Sequence, residues 1–397
     1  MKILFSTTIL LFLFLTINAQ NITSIDLTQA KFERVSSDRI FEEMEFIPLE
    51  THEDGLLNMR STFYLTDKYI IGVNFLKGAY LFDRKTGAFI REVSSFGQGP
   101  DEYTGFIYNR YGFDEKNNIL FASDHPWGKS WRGINIETNK VESIIKLSLQ
   151  KNDDERFSAT APWLIKDDIY ISFCNNVTGK DKVRLAVFDK EGNIIKEYPN
   201  YLEYINRNIL AIPANNGIFY HYNERSYFKE WFYNDTIFCV NENIMSPHII
   251  FKSGNKQPSY YHQTNIDYNK EKYLINFACE SHSFILFSFS YHTETNKSLS
   301  GETIGSNSST HTGYYDKTNK QTYISSTPDY KKSGYTILGL PVSFYPLSIN
   351  KSNEIVAIIN PEELIINKDN IDSKYKHLFI NIQEDDNPIL IIARLKN

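Results

Sequence analysis

The sequence predicts an all-β protein, a six-bladed β-propeller made of four-stranded antiparallel blades. Acidic residues that open turns recur along the chain, and Asp83, Glu137 and Asp189 are separated by 54 and 52 residues. A period of about 50 residues with several strands per unit is typical of a propeller blade. Tyrosine and phenylalanine supply most of the 15% aromatic content, which favours strands. A β-sandwich, the alternative, would show turns at shorter and less regular intervals.

Each predicted blade consists of a pair of strands followed by a hairpin. The hairpin has a strand, a turn that begins with an acidic or polar residue and continues with glycine or asparagine, and a second strand. Its copies cover residues 81–90, 134–144, 187–195 and, more weakly, 314–323. With the strand pairs that precede them, the blades are assigned to residues 61–97, 106–148, 157–200, 216–254, 271–326 and 333–360. Six units of about 50 residues fit the chain once its two ends are set aside.

The stretch Phe96–Tyr103, with the sequence FGQGPDEY, connects the first two blades. Gly97 and Gly99 can adopt positive φ at little cost, and Pro100 keeps the residue before it out of the helical region. The stretch is therefore predicted to be a rigid crossing between two sheets, in which Glu102 has a turn or capping role. Adjacent acids in an extended chain point to opposite faces, so the two acids of this stretch are not expected to act as a catalytic pair.

The two ends of the chain are predicted to close the ring. After a lead-in over residues 20–43, residues 44–50 form a strand, and residues 388–395 form another at the end. We expect these two strands to pair in one blade, so that the propeller domain covers residues 44–397. Proline at the first position with acids in the first turn marks a helix. Two short helices are therefore expected before the last strand, at Pro361–Leu364 and near residues 373–383.

The first 19 residues have the pattern of a signal peptide. Lys2 provides a positively charged start, Ile9–Leu15 is an unbroken apolar run, and Ala19 is the small residue that a signal peptidase requires. We therefore expect cleavage after Ala19 and a secreted or periplasmic protein with no membrane span after cleavage. A buried N-terminal strand or a membrane anchor is the alternative. No cysteine lies near the cleavage point, so a lipid anchor is not expected.

Four segments together resemble a family of six-bladed β-propellers that is abundant among secreted proteins and lipoproteins of Bacteroidetes. They are Phe46–Thr51, Phe96–Tyr103, Trp231–Phe238 and Glu384–Leu390. The resemblance covers nearly the whole chain after the signal peptide and implies the same propeller fold. The family is often labelled a domain of unknown function, so the resemblance implies no catalytic residue. Many relatives carry a lipobox cysteine, which this sequence lacks.

The sequence patterns of the common active sites are missing. There is no GxSxG nucleophile motif, no P-loop and no dinucleotide-binding glycine motif, so no cofactor is expected. The nine histidines show neither HxxxH nor HExxH spacing, so no metal is expected. The net charge of −6 is interspersed without a basic block, so nucleic acid is not an expected partner. Cys174, Cys239 and Cys279 are predicted to be buried thiols, with one disulfide among them as the alternative.

The best candidate for a binding surface is the loop of residues 123–132, SDHPWGKSWR. The loop is expected to follow an innermost strand, of the type that lines a propeller channel. Its side chains suit a polar ligand with flat apolar faces, such as a sugar or a peptide. The candidate residues are Asp124, His125, Trp127, Trp131 and Arg132. The alternative, which general packing rules favour, is a loop whose tryptophans cover the sheet.

We therefore expect a secreted propeller that binds a small molecule, a glycan, a peptide or a protein and has no recognisable catalytic motif. The alternative is a lyase or hydrolase whose site is assembled across several blades at the central channel, with a metal-dependent enzyme as one variant. The two hypotheses differ in what should converge at the channel. An enzyme should bring acids and histidines together there, whereas a binding module should present aromatic residues.

Overall fold

The structure is a computed structural model that describes residues 22–74, 77–95, 97, 99–103, 111–124, 129–149, 158–205, 217–263, 268–297, 303–325 and 333–396. The predicted signal peptide, residues 1–19, lies outside this range. Within it, no helix combines the length and the apolar character needed to cross a membrane.

Strands account for most of the regular structure, and the first eleven form the start of the chain and two blades. The chain begins with three separate strands, β1 (Thr23–Asp26), β2 (Lys31–Glu33) and β3 (Phe41–Pro48). Blade one contains β4 (Thr62–Leu65), β5 (Tyr69–Asn74), β6 (Gly78–Asp83) and β7 (Phe89–Glu92). Blade two contains β8 (Tyr111–Asp114), β9 (Ile119–Ser123), β10 (Ser130–Asn135) and β11 (Lys140–Lys146).

The next three blades follow in chain order. Blade three contains β12 (Ser158–Ala159), β13 (Trp163–Lys166), β14 (Ile169–Asn175), β15 (Val183–Asp189) and β16 (Ile194–Pro199). Blade four contains β17 (Gly217–Tyr222), β18 (Arg225–Glu230), β19 (Thr236–Val240) and β20 (Met245–Lys252). Blade five contains β21 (Tyr273–Glu280), β22 (Phe284–Lys297), β23 (Thr303–Asp316) and β24 (Gln321–Ser325).

The C-terminal part of the chain completes the ring and contains the helices. A separate two-stranded sheet consists of β25 (Tyr335–Ile337) and β26 (Leu340–Phe344). Blade six then contains β27 (Ser348–Ile349), β28 (Glu354–Ile359), β29 (Ile389–Leu395) and β3. The helices α1 (Pro361–Ile366) and α2 (Ser373–Lys376) lie between β28 and β29. The prediction of a six-bladed propeller with short helices before the last strand is confirmed.

The N-terminal strands pair with blades that are distant in sequence. β29 is antiparallel to β3, with Ile389 opposite Pro48 and Arg394 opposite Glu43. β1 runs parallel to β20, and β2 runs parallel to β24. Residues of the predicted lead-in therefore add outer strands to blades four and five, a role that sequence analysis did not assign to them. The predicted range 333–360 for blade six is wrong in part, because its first hairpin is the separate sheet of β25 and β26.

The hydrophobic core lies between neighbouring blades rather than at the centre of the ring. Five clusters of buried apolar residues connect the blades. They lie between blades one and two, between blades two and three, between blades three and four, across blades four to six, and between blades six and one. Both faces of the middle strands are covered by neighbouring blades, so every residue of β6 and β15 except the last is buried. The exposed outer strand β11 instead alternates between partly buried and exposed side chains. This arrangement leaves the inner edges of the blades to line the ring axis.

The hairpin turns that revealed the repeat are held by a single side chain each. The side-chain oxygens of Asp83, Asn135, Asp189 and Asn241 accept hydrogen bonds from backbone N–H groups two or three residues further on. These four positions are 52, 54 and 52 residues apart. The prediction that Glu137 opens the second turn is therefore wrong, since its own N–H donates to Asn135. The true period extends into blade four, because asparagine performs the same role as aspartate.

Candidate functional site

The predicted binding loop between β9 and β10 does not follow an innermost strand. β9 is the second strand of blade two, and β8 is the strand that faces the channel, so this expectation is wrong. Trp131 is 0% exposed and packs in the core between blades two and three, as the packed-loop alternative expects. His125 and Trp127 lie outside the described residues.

Arg132 and Asp124 form an ion pair that connects this loop to the glycine-containing crossing. Arg132 Nε donates to Asp124 Oδ1 at 3.0 Å. Arg132 Nη1 also donates to the carbonyl oxygens of Gly99 and Pro100, at 3.2 and 2.9 Å. The guanidinium group is thus engaged inside the protein. Of the predicted binding residues, the structure brings these two together, and their contacts join blade two to the connection from blade one.

The crossing itself is organised by Glu102. Its Oε2 accepts a hydrogen bond from Gly99 N at 2.7 Å, and the backbone of Tyr103 pairs with that of Ser95 and Gly97. A Cβ atom on Gly97 would overlap Glu102 Oε2. Neither glycine of the crossing adopts positive φ, so the crossing does not use this conformational freedom of glycine. Glycine at position 97 leaves room for the Glu102 carboxylate in this conformation, so any other residue there would require the carboxylate to move.

The inner strands of the blades surround a central channel. Among the described residues, β4, β8, β13, β17, β21 and β27 are end strands of their sheets, and each is paired by a strand along one edge. The channel encloses a cavity of about 680 Å³ to which all six blades contribute lining residues. Small-ligand sites commonly measure about 300–1,000 Å³ and are concave and largely apolar. The channel therefore has the size of a small-ligand site.

Aromatic residues from several blades line this channel. Among them are Tyr64, Tyr111, Trp163, Phe219 and Trp231, which come from blades one to four. The ring of Trp163 stacks on Phe219 at a centroid distance of 5.9 Å and on His221 at 5.0 Å. Burial lowers the pKa of His221 to about 4, so its imidazole is neutral at pH 7. The wall around Trp163 is thus an uncharged stack of three flat rings.

Trp231 is placed at the channel by a short loop after β18. The next residue, Phe232, has φ of 63°, and its N–H donates to the carbonyl oxygen of Ile275 at 2.7 Å. The indole N–H groups of Trp231 and Trp163 are buried and have no hydrogen-bond acceptor among the described residues. A buried donor without an acceptor costs about 1–3 kcal/mol. An acceptor from a bound water or ligand would therefore stabilise either group.

Buried charges hold the Trp231 loop. Lys229 is 0% exposed, and its Nζ donates to the backbone carbonyls of Glu230 and Asn234, the latter at 2.6 Å. Burial lowers the pKa of Lys229 to about 7. The adjacent Glu230 carboxylate accepts from Arg184 Nη2 at 2.7 Å, and both side chains are at most 10% exposed. The loop is therefore fixed on both sides by side chains that do not face solvent.

Two charged side chains stand at opposite ends of the channel. Arg60 lies just before β4, where the inner strands begin, and Glu115 directly follows β8, where they end. The Glu115 carboxylate accepts a hydrogen bond from the backbone N–H of Lys351 at 3.2 Å. Burial raises the pKa of Glu115 to about 7, with a smaller contribution from Asp114 and Glu354 and an opposing one from Lys351. The Glu115 carboxyl is therefore partly protonated at neutral pH.

No group of three or more histidine, cysteine or acidic side chains that could hold a metal ion occurs in the part of the chain that the structure describes. The three cysteines are buried, and no disulfide joins them. The prediction of buried thiols is confirmed.

Sequence reasoning missed the aromatic residues of the channel. Two signals could have found them. Trp231 begins Trp231–Phe238, one of the segments that carry the family resemblance, and Trp163 begins the inner strand β13 of its blade. Neither signal identifies a channel residue until the order of strands within a blade is known.

Comparison with known proteins places the chain in a family without an assigned function. The model of a family described as a domain of unknown function (DUF4934) matches residues 22–394, so the chain belongs to this family. A solved structure of a Bacteroides fragilis protein described as exported is 17% identical, with a TM-score of 0.67, and the match covers 95% of this chain and 100% of that one. A member of the DUF4221 family from Bacteroides vulgatus is 11% identical, with a TM-score of 0.54, and the match covers 90% and 97% of the two chains. No curated protein matches the sequence.

Proposed function

We propose that this member of the DUF4934 family is a binding module whose central channel takes up a small ligand with flat, largely apolar faces. The observation that carries the proposal is the wall of aromatic rings from several blades around a cavity of about 680 Å³. Stacked rings such as Trp163 and Phe219 offer a flat surface to a sugar ring, a planar base or an apolar side chain. The inner strands are paired by a strand along one edge only, so the backbone groups of the other edge that have no side-chain partner add donors and acceptors.

The proposal is tested by calorimetric titration of the purified protein against oligosaccharides, short peptides and nucleosides. We expect at least one class to bind, and Trp163→Ala to weaken that binding about tenfold, because ring stacking adds about 0.5–1.5 kcal/mol to the buried area. Tyr201→Ala is the matched control, since Tyr201 is an aromatic residue that is 84% exposed and does not line the channel. Equal losses in both variants, or none in Trp163→Ala, would contradict a site in the channel. Circular dichroism checks that both variants fold.

We propose as a second candidate that the channel belongs to a lyase or hydrolase. The observation that favours this candidate is Glu115, since a carboxyl whose pKa is raised to about 7 can give or take a proton near neutral pH. Glu115→Gln would then abolish turnover of a bound ligand while leaving its binding largely unchanged. Binding without turnover of any ligand of the panel would argue for the binding module instead.

We also propose that the protein is exported, with cleavage after Ala19. The sequence pattern of residues 1–19 supports this proposal, as does the description of the similar Bacteroides fragilis protein as exported. Mass spectrometry of the protein from the periplasm or the medium should find Gln20 at the N-terminus. Recovery of the protein with residues 1–19 intact in the cytoplasm would contradict export.

A further inference from the structure

We infer that the ligand of the channel is a short peptide in extended conformation, with its amino terminus toward Glu115 and its carboxylate toward Arg60. The inference rests on the proposed binding function and specifies its ligand class.

The two charges lie at opposite ends because of the blade topology. Each of the inner strands β4, β8, β13, β17, β21 and β27 is antiparallel to the strand that follows it in its blade, so the six inner strands run in the same direction along the axis. Arg60 precedes one of these strands, and Glu115 follows another. Among the lining residues that the structure describes, Arg60 is the one basic side chain and Glu115 the one acidic side chain. A ligand that fits both must carry a negative group at one end and a positive group at the other.

Neither charge is neutralised by a salt bridge in the described part of the chain. Arg60 forms no ion pair there, and its backbone N–H donates to Asn58 Oδ1 at 2.9 Å. Glu115 accepts a single hydrogen bond from a backbone N–H. The neighbouring Asp114 differs, because it accepts from Asn117 Nδ2 at 2.8 Å and from Tyr170 at 2.9 Å. The two charges in the channel thus remain able to pair with a ligand.

The separation of the charges suits a peptide of about five residues. Arg60 lies two positions before β4, and the residues from Arg60 to the end of β4 at Leu65 extend about 17 Å at roughly 3.3 Å per residue, which sets the scale of the channel length. An extended peptide covers at most about 3.3–3.6 Å per residue, so five residues bridge the same distance.

The wall between the charges also matches a peptide. An extended backbone can pair with a free strand edge, and apolar side chains then occupy pockets beside that edge. β4 and β8 are each paired by a strand along one edge only. Phe63 O of β4 and Tyr111 O of β8 already accept from Ser348 Oγ and Tyr64 OH, so a peptide backbone would pair with the other groups of these edges. The rings of Tyr64 and Trp163 line the channel as apolar contacts. A neutral oligosaccharide would use the rings but would leave both end charges without a partner.

The test uses a random library of pentapeptides in four forms: free at both ends, acetylated at the N-terminus, amidated at the C-terminus, and capped at both ends. Equilibrium dialysis with mass spectrometry measures how much of each form the protein retains. We expect wild-type protein to retain the free form at least about fivefold better than either singly capped form, since a partly desolvated charge pair contributes about 1 kcal/mol or more.

The variants assign each end of the peptide to one charge. Arg60→Gln should remove the penalty for C-terminal amidation alone, and Glu115→Gln should remove the penalty for N-terminal acetylation alone. Lys68→Gln is the control. Lys68 lies on the same blade as Arg60, its side chain is 73% exposed, and it does not line the channel. It should leave the preference for free ends unchanged.

The outcomes separate the inference from the function on which it rests. The peptide inference is refuted if no peptide is retained or if capping has no effect. The binding function still stands in that case if Trp163→Ala weakens the binding of an oligosaccharide or a nucleoside. If no ligand of any class responds to Trp163→Ala, the proposed function fails as well. Exchange of the two capping effects between the variants would refute the orientation of the peptide.

Discussion

The close approach of Glu102 to Gly97 predicts that Gly97→Ala destabilises the protein when Glu102 is present and does not when Glu102 is replaced by alanine. In Gly97→Ala, the new Cβ atom would overlap Glu102 Oε2, so the carboxylate must move away. It then loses the hydrogen bond from Gly99 N, which measures 2.7 Å. A hydrogen bond to a charged group contributes about 1.5–3 kcal/mol, and Glu102 is partly exposed. We expect Gly97→Ala to lower the free energy of unfolding by about 1–2 kcal/mol.

The same substitution should become neutral or stabilising once the carboxylate is removed. Gly97 does not have positive φ, so alanine can adopt its backbone conformation. Replacing glycine by alanine at such a position stabilises a protein by about 0.4–1 kcal/mol, because it restricts the unfolded chain. In the Glu102→Ala background, we therefore expect Gly97→Ala to raise the free energy of unfolding slightly.

The assay is a double-mutant cycle by denaturant unfolding of wild type, the two single variants and the double variant. The coupling energy between positions 97 and 102 should be about 1.5–3 kcal/mol in magnitude. The slope of the unfolding free energy against denaturant should be equal in all four proteins, which shows that the same unfolding is measured. Additive effects of the two substitutions would refute the reasoning, because they would mean that Gly97 is required for some reason other than the carboxylate.

Three further predictions concern buried and titratable groups. The pKa of Glu115 is raised to about 7, so the folded protein binds more protons than the unfolded chain between about pH 4.5 and 7. The free energy of unfolding of wild type relative to Glu115→Gln should therefore fall as the pH rises through this window. Equal pH profiles for the two proteins would contradict the raised pKa. Arg184→Met should cost about 3 kcal/mol by leaving Glu230 buried without its ion-pair partner, whereas adding Glu230→Gln should recover most of the loss; denaturant unfolding measures both. Because all three cysteines are buried, a thiol reagent should label none of them in the folded protein and all three after unfolding, and rapid labelling of native protein would contradict their burial.

The propeller could be predicted from sequence because its repeat depends on local chemistry. Asp83 and Asp189 hold their turns through side-chain oxygens that accept from nearby backbone N–H groups, and this requirement shows in the residue type alone. The repeat was lost in blade four because Asn241 holds that turn instead. The pairing of β1 and β2 with blades four and five could not be predicted, since it joins residues more than 200 positions apart and no local pattern specifies it.

The candidate site could not be predicted because the position of a strand within its blade decides what its residues do. Trp131 and Trp163 are the same residue type in neighbouring blades. Trp131 lies on β10, the third strand, where blades cover both faces, and it is fully buried. Trp163 begins β13, at the inner edge of blade three, and therefore reaches the channel. The expectation that Trp131 lines the channel is wrong because it placed the loop after β9 beside the channel.

The channel depends on the closure of the ring more than on any single blade. The walls of the channel are the inner strands, each paired by a strand along one edge, with the opposite edge facing the axis. The positions of these strands are therefore set by packing between blades. That packing is continuous around the ring because β3 pairs with β29 and brings Ile47 and Leu49 against Phe63 and Phe82 of blade one. Residues near the N-terminus thus help to position blade one, which contributes Tyr64 to the channel. A site distributed in this way needs no compact sequence motif, which explains why a chain with no catalytic signature still carries a defined cavity.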